Sequence, residues 1–228
     1  MNPWIAAPIA GFALFALNEV ANPRFAFLGK VFHRGDPAGV ALTFDDGPHP
    51  EHTPRVLEIL DRFQARASFF VIGDKAAAHP ELIREIVKRG HSIENHSRKH
   101  SNFFGFFPWT ALRRDIGTAQ EIIRGITGRP PAFFRSPMGI RNPMLDPVIT
   151  HLGLRYITWT RRGFDTVTRD PAVVLERLAC RLSAGDILLL HDRRTRHKRA
   201  VVLDVLPALL DRIAAAGLTP VSLPLAMQ

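Results

Sequence analysis

The chain has 228 residues, 46% hydrophobic and 22% charged, which is enough apolar surface for one catalytic-sized domain with modest extras and excludes intrinsic disorder. A single cysteine, Cys180, excludes an intramolecular disulfide framework and a multi-cysteine zinc site. Lys and Arg outnumber Asp and Glu by 30 to 21, and the resulting +9 invites a nucleic-acid, membrane-surface or anionic-polymer partner until the motifs decide.

Residues 1–37 stand apart as an apolar N-terminal segment. Positions 3–17 carry no charge, but the stretch is short of the ~20 residues that span a bilayer and contains two prolines. It reads as a packed helix, an interfacial or hairpin membrane attachment, or the remnant of a longer membrane region. Arg24, Lys30 and Arg34 follow, so an inserted segment would leave what comes after it in the cytoplasm. Residues 38–228 form the main domain. Its β-prone runs predict strands near 40–44, 67–72, 91–95, 132–135, 154–159, 186–190 and 219–223. Helical spacing of apolar residues predicts helices near 53–64, 80–89, 109–127, 143–152, 171–183 and 200–216. Strands alternating with helices mean βα units and a parallel sheet, with an open doubly wound sheet and a closed or nearly closed barrel both fitting.

In such folds the loops after the strand ends carry the active site. Titratable groups stand there: Asp45 and Asp46 after the first strand, His96 and His100 after the third, and Arg135 after the fourth. Trp159 and Asp165 lie beyond the fifth, and His191 and Asp192 follow the sixth. On a helical turn His96 and His100 share one face, and with one carboxylate, naturally Asp46, they make a metal site with an open position; the alternative is a chance surface pair. Gly47-Pro48 turns the chain at once, so one of Asp45 and Asp46 can bind metal while the other faces the water to be activated. Alone, that stretch reads as an Asp-Gly turn closing a strand. Arg135 can hold a carboxylate bidentately, and the turn through Pro137 and Gly139 can expose the Met138 N–H as an oxyanion donor. His191 leaves a buried strand either as a satisfied end-of-core residue or as a general acid, with Asp165 a carboxylate able to raise its pKa.

TFDDGP at 43–48, HSRKH at 96–100, RSPMG at 135–139 and LLLHD at 188–192 appear in this order. Together they resemble the motifs of the polysaccharide deacetylase family, also called the NodB-homology domain or carbohydrate esterase family 4, over about residues 38–224. The resemblance implies an α/β fold, a distorted (β/α)7 barrel with parallel strands and outer helices. By motif it implies that Asp45 is the catalytic base and that Asp46, His96 and His100 hold one divalent metal ion, zinc first, with cobalt, nickel, manganese or iron as alternatives. Arg135 orients the base, the Met138 N–H helps the oxyanion hole, His191 is the general acid with Asp165 as partner, and Leu189 lines the acetyl pocket. The implied reaction is metal-assisted hydrolysis of an N-acyl group, usually N-acetyl on a hexosamine, with His191 protonating the leaving amine. A bacterial origin follows from the same resemblance, and a membrane-associated or cell-envelope location is favoured over a cytoplasmic one.

The chain departs from the family pattern in three places. Met138 stands where members often have Tyr, Ser101 replaces a common proline after His100, and 159–165 reads WTRRGFD where Asp-Trp is usual. These changes leave base and metal ligands intact and leave the substrate open. The aromatic run at 103–109 is an exposed lip for a lipid-bearing substrate or membrane surface, or else a core segment entering the next helix. Four functions follow: an N-deacetylase on an aminosugar-containing glycan, a deacylase on a lipid-linked or small aminosugar, an inactive glycan-binding module, and a nucleic-acid binder. The third needs a missing catalytic residue, and none is missing. The fourth rests on charge alone, so nucleic acid is not expected as a partner. The basic run at 193–199, with Arg161 and Arg162, reads instead as a rim for an anionic substrate or as a solvated loop.

Overall fold

The computed structural model describes residues 39–193 and 200–223. The N-terminal segment 1–37, with its helix-or-membrane alternatives, and residues 194–199 of the basic run lie outside the described residues. In chain order the elements are β1 (Val40–Asp45), α1 (His52–Arg62), β2 (Ser68–Val71), α2 (Gly73–Ala78), α3 (Pro80–Lys88), β3 (Ser92–Asn95), α4 (Trp109–Thr127) and β4 (Phe133–Phe134). Then come α5 (Leu145–His151), β5 (Arg155–Tyr156), β6 (Arg161–Arg162), α6 (Pro171–Ala179), β7 (Ile187–His191), α7 (Val201–Ala215) and β8 (Pro220–Val221).

All strand pairings are parallel, in the order β5-β4-β3-β2-β1-β7-β6. β8 pairs with Val40 and Ala41 at the start of β1, below the point where β2 takes over at Thr43. The chain itself decides between open sheet and barrel. β5 and β6 lie at the two ends of the sheet, yet residues 157–160 alone connect them. Five Cα steps reach at most about 18 Å, whereas the outer strands of a flat seven-stranded sheet stand about 29 Å apart. The sheet therefore curls until its ends nearly meet, as the (β/α)7 expectation requires.

Of the single strand expected near 154–159 only β5 forms, and β6 follows beyond it. The Ile157 N–H still bonds the Phe134 carbonyl beside β4 (3.0 Å), while the Thr160 N–H already bonds the Ile187 carbonyl of β7 (2.9 Å). The backbone changes partners across the gap, which a continuous β-prone run does not reveal. Helix α2 was also not anticipated; six residues are too few for a helical period to stand out.

Strand alternation sorts the barrel into layers. Val40, Leu42 and Phe44 of β1 and Leu188 and Leu190 of β7 pack outward among the apolar faces of α1 and α7. Ala41 and Ile187 point inward to meet Phe70, Phe133, Ile157 and Leu223. At roughly 1.5–3 kcal/mol per fully buried large apolar side chain, the outer layer is the main source of stability, and it frees the inner face at the strand ends for polar groups. Among the described residues no helix is long and apolar enough to cross a membrane.

Candidate active site and metal centre

The inward set on β1 is Ala41, Thr43 and Asp45; on β7 it is Ile187, Leu189 and His191. Register pairs Thr43 with Leu189 and Asp45 with His191, so pleat and pairing alone bring these four to one end of the barrel. Asp46 would face outward if the strand continued. Instead it takes a left-handed backbone (φ 73°), a conformation that Asp tolerates better than most residues, and its carboxylate returns to the side of Asp45. The turn is tied down from behind. The Ile72 N–H donates to the Gly47 carbonyl (3.0 Å) and the Lys75 ammonium to the Asp46 carbonyl (2.6 Å). A Cβ on Gly47 would lie 2.4 Å from both Asp192 carboxylate oxygens, so only glycine fits there.

The two histidines do not sit on a helical turn. Residues 96–100 form a loop in which Ser97 (φ 67°) and His100 (φ 52°) are left-handed. The Asn95 side chain accepts from the Ser97 N–H (2.9 Å), and the Ser97 hydroxyl accepts from the His100 N–H (3.0 Å). The first turn of α2 adds bonds from the Gly73 and Asp74 N–H groups to the Ser97 and Arg98 carbonyls. This loop still converges both rings on one oxygen. His96 Nε2 lies 3.4 Å and His100 Nε2 3.2 Å from Asp46 Oδ1.

That oxygen tests whether the site fits a cation. A carbonyl only accepts, so the 2.8 Å contact of His96 Nδ1 with the Arg135 carbonyl puts the ring proton on Nδ1. His96 Nε2 then presents a lone pair to a carboxylate. Asp46 Oδ1 is buried and, among the described residues, has no hydrogen-bond partner. Electron pairs facing one another across this gap call for a cation between them. Ligands about 2.1 Å from a tetrahedral ion stand about 3.4 Å apart, and the spacing here matches. The three ligand atoms lie within 4.8 Å of one another. Burial pushes the Asp46 carboxyl up, but the imidazoles of His96, His191 and His100 around it prevail and hold it well below the usual carboxylate range. Burial lowers the His100 pKa and favours the neutral ring that a metal ligand needs.

Arg135 is fully buried inside the barrel, with Phe70 against its guanidinium face (4.1 Å). The bidentate grip expected from sequence is not what it makes. Nη1 donates to Asp45 Oδ1 (2.6 Å) and to the Thr43 hydroxyl (2.9 Å), while Nη2 donates to the Thr158 carbonyl (3.0 Å). One carboxylate oxygen is pinned, and Oδ2 turns toward His96 at 3.8 Å. The guanidinium fork is divided because Thr158, in the crossing between β5 and β6, needs a donor for its carbonyl.

Asp165 clamps His191 twice. One oxygen meets the ring Nδ1 (2.8 Å), and the other accepts the His191 backbone N–H (2.8 Å). Burial lowers the imidazole, but the charge and hydrogen bond of Asp165 outweigh it, and the His191 pKa is raised. Met138 lies in a tight turn with φ 56°, where Gly139 and Ile140 N–H groups bond back to Ser136 and Pro137 and the turn makes no use of the Met138 N–H. A cleft of about 70 Å³ gathers Asp45, Asp46, His96, His100, Leu189 and His191, with Met138, Trp159, Arg162 and Arg193 also on its wall. That is far below the ~300–1,000 Å³ of a pocket enclosing a whole ligand. It admits a small group, and the remainder of a substrate must lie outside.

All nine sequence-predicted site residues meet at this end of the barrel. Others went unmarked. Thr43 links Arg135 to the Leu188 carbonyl (2.6 Å), and its position two before Asp45 was the available signal. Thr53 donates to Asp192 (2.5 Å), a buried carboxyl pushed up to about 6. Lys75 has no sequence signal at all. The aromatic run divides: Phe104 is buried, while Phe103 and Phe106 are 71% and 86% exposed.

The polysaccharide deacetylase family model matches residues 33–157. A chitooligosaccharide deacetylase from Bradyrhizobium is 34% identical over 162 residues, 69% of this chain and 74% of that protein. A peptidoglycan-N-acetylglucosamine deacetylase from Bacillus cereus is 31% identical over 155 residues, 67% of this chain and 72% of that protein. Among solved structures, a peptidoglycan N-acetylglucosamine deacetylase superposes with a TM-score of 0.81 at 26% identity, covering 87% of this chain and 92% of that one.

Proposed function

The chain belongs to the polysaccharide deacetylase family, and on that premise we propose that it is a metal-dependent hydrolase removing an N-acyl group, N-acetyl first, from an aminosugar-containing glycan. The observation that carries the reading is the meeting of Asp46, His96 and His100 with Asp45 and His191 in one small cleft. The relatives named above act on peptidoglycan and chitooligosaccharides, which supports the substrate class.

Asp46, His96 and His100 would hold the ion, with zinc favoured by the nitrogen-rich ligand set. A divalent cation supplies a Lewis acid that polarises the acyl carbonyl and acidifies water. Asp45 is the base: Arg135 pins Oδ1 and aims the carboxylate, so that Oδ2 takes a proton from the attacking water. The Met138 N–H donates to the carbonyl oxygen as it gains negative charge. His191, kept protonated by Asp165, gives its proton to the departing amine. Leu189 lines the floor where the acyl methyl would sit.

The test is acetate release from N-acetylglucosamine oligomers, lost on chelation and restored by zinc. Absence of amide hydrolysis across a panel of acylated amino sugars would overturn the reading. A second reading, a lipid-linked aminosugar substrate, is favoured by Phe103 and Phe106. Their loop packs on the segment after Met138, with the Asn142 amide bonded to the Gly105 and Phe107 carbonyls. Faster turnover of a lipid-linked substrate than of free oligomers decides for it.

A further inference from the structure

Strand β6 is two arginines long, and its two side chains meet different fates. Arg161 turns away from the barrel interior to Asp186 (Nε to Oδ2, 2.7 Å) and to the carbonyls of Cys180 and Arg181. Its donors are spent on its own surroundings. Arg162 pairs in register with Leu189, so it shares the inward face of the acyl-pocket residue and stands on the cleft wall. Among the described residues its guanidinium has no carboxylate or carbonyl partner, and its Nε is buried without a hydrogen bond. Two aromatic rings hold it instead, Phe164 at 4.7 Å and Trp159 at 5.4 Å. Contacts of that kind steady the planar cation and leave its in-plane N–H donors unused. Arg193 reaches the same cleft from the end of β7, with Nε 3.0 Å from Asp46 Oδ2 and its side chain 42% exposed.

Two guanidinium groups beside a site built for a divalent cation repel that cation and one another. A neutral sugar gives the Arg162 guanidinium nothing to do. An anion lying over the cleft would engage donors that the protein has left unpaired, through charge-assisted and even bidentate hydrogen bonds. Arg162 is held at the edge of the acyl pocket, so that anion must be on, or next to, the sugar whose amide is cut. We propose that Arg162, assisted by Arg193, forms an anion subsite and that the preferred substrate is an N-acylated aminosugar bearing a phosphate or carboxylate group. This rests on the deacylase reading for the identity of the sugar. The guanidinium arrangement itself does not depend on turnover.

The test is calorimetric binding of N-acetylglucosamine, N-acetylglucosamine 1-phosphate and N-acetylmuramic acid to the metal-loaded full chain, with hydrolysis of each followed in parallel. At least one anionic sugar should bind about 10-fold or more tightly than the neutral one. The phosphate and carboxylate arms tell which anion the site takes. In Arg162→Gln that ratio should collapse toward unity, and Arg162→Lys should retain part of it. A phosphate that merely bound the metal would keep its advantage in Arg162→Gln, and that result overturns the subsite, as does equal binding of all three sugars to the unmodified chain. Preserved anion preference with no hydrolysis of any sugar would count against the deacylase reading and leave the subsite standing.

Discussion

Asp46 and Glu94 are both buried carboxylates of the barrel, 4% and 2% exposed, and burial pushes both toward the neutral acid. Their neighbours send them opposite ways. Burial prevails at Glu94 and pushes its pKa up to about 7, against the Ala132 and Phe133 N–H groups that both bond its Oε2 (3.0 and 2.8 Å), the Ser92 hydroxyl and the charge of Arg155. It serves as a joint between β3 and the start of β4. Asp46 stands among imidazoles with Arg193 at its other oxygen, and it stays ionised. Desolvation is common to the whole interior, so a charge kept there marks a place built to face cations. The contrast separates a functional carboxylate from a structural one at nearly equal burial.

The largest expected effects break the charged side of this comparison. Asp46→Asn should lower bound metal and deacetylation together. Asp45→Asn should lower turnover by roughly 10²–10⁴-fold, the range for a general base, while keeping the metal. Acetate release and metal content measured on the same samples separate the two. If Asp45→Asn also empties the site, the division of labour between the two aspartates is wrong.

A third buried carboxylate, Asp165, sharpens the comparison because its cation is a single proton-carrying ring. Against burial, its charge and its bond to the ring raise the imidazole pKa, so the proposed acid keeps its proton as pH rises and loses it above the ordinary histidine range. Asp165→Asn should slow turnover by up to about 10³-fold and move the alkaline limb of the kcat/KM profile to lower pH. An unmoved alkaline limb would mean that His191 is not the acid or that Asp165 does not set its charge.

Much of this was legible beforehand, and for identifiable reasons. Strand ends place Asp45 and His191 without coordinates and the family resemblance adds Leu189; pleat and parallel register then turn all three to one face. The proposed metal ligands were legible as residue types but not as backbone. His-x3-His suggested a helical turn, and the observed loop instead depends on left-handed Ser97 and His100 and on a hydrogen bond from the Ser97 N–H to the Asn95 side chain. Long-range support was not legible at all. Lys75 reaches the Asp46 carbonyl from α2, and Asp192 packs on Gly47 across the barrel end. Nothing local in the sequence encodes either contact. The split at 157–160 was hidden for the same reason, since the change of hydrogen-bond partner from β4 to β7 is a property of closure.

The smallest effect tests the structural side, and its sign follows from linkage. Glu94 has a folded pKa of about 7 against an ordinary 4.5. The folded state therefore holds the proton more tightly than the unfolded chain, so the stabilisation is complete below about pH 4.5 and is lost as pH rises through 7. A gap of that size corresponds to no more than about 3 kcal/mol. Both backbone N–H groups converge on Oε2, and the proton-bearing form is the neutral acid. Glu94→Gln imitates that neutral form at every pH. The variant and the unmodified chain should therefore unfold alike near pH 4.5. The variant should then gain in relative stability toward pH 7 and hold a constant lead above it, as read by denaturant midpoints across the series. A difference that does not vary with pH would mean that Glu94 is ionised throughout, as Asp46 is, and that the two carboxylates do not differ in the way their neighbours indicate.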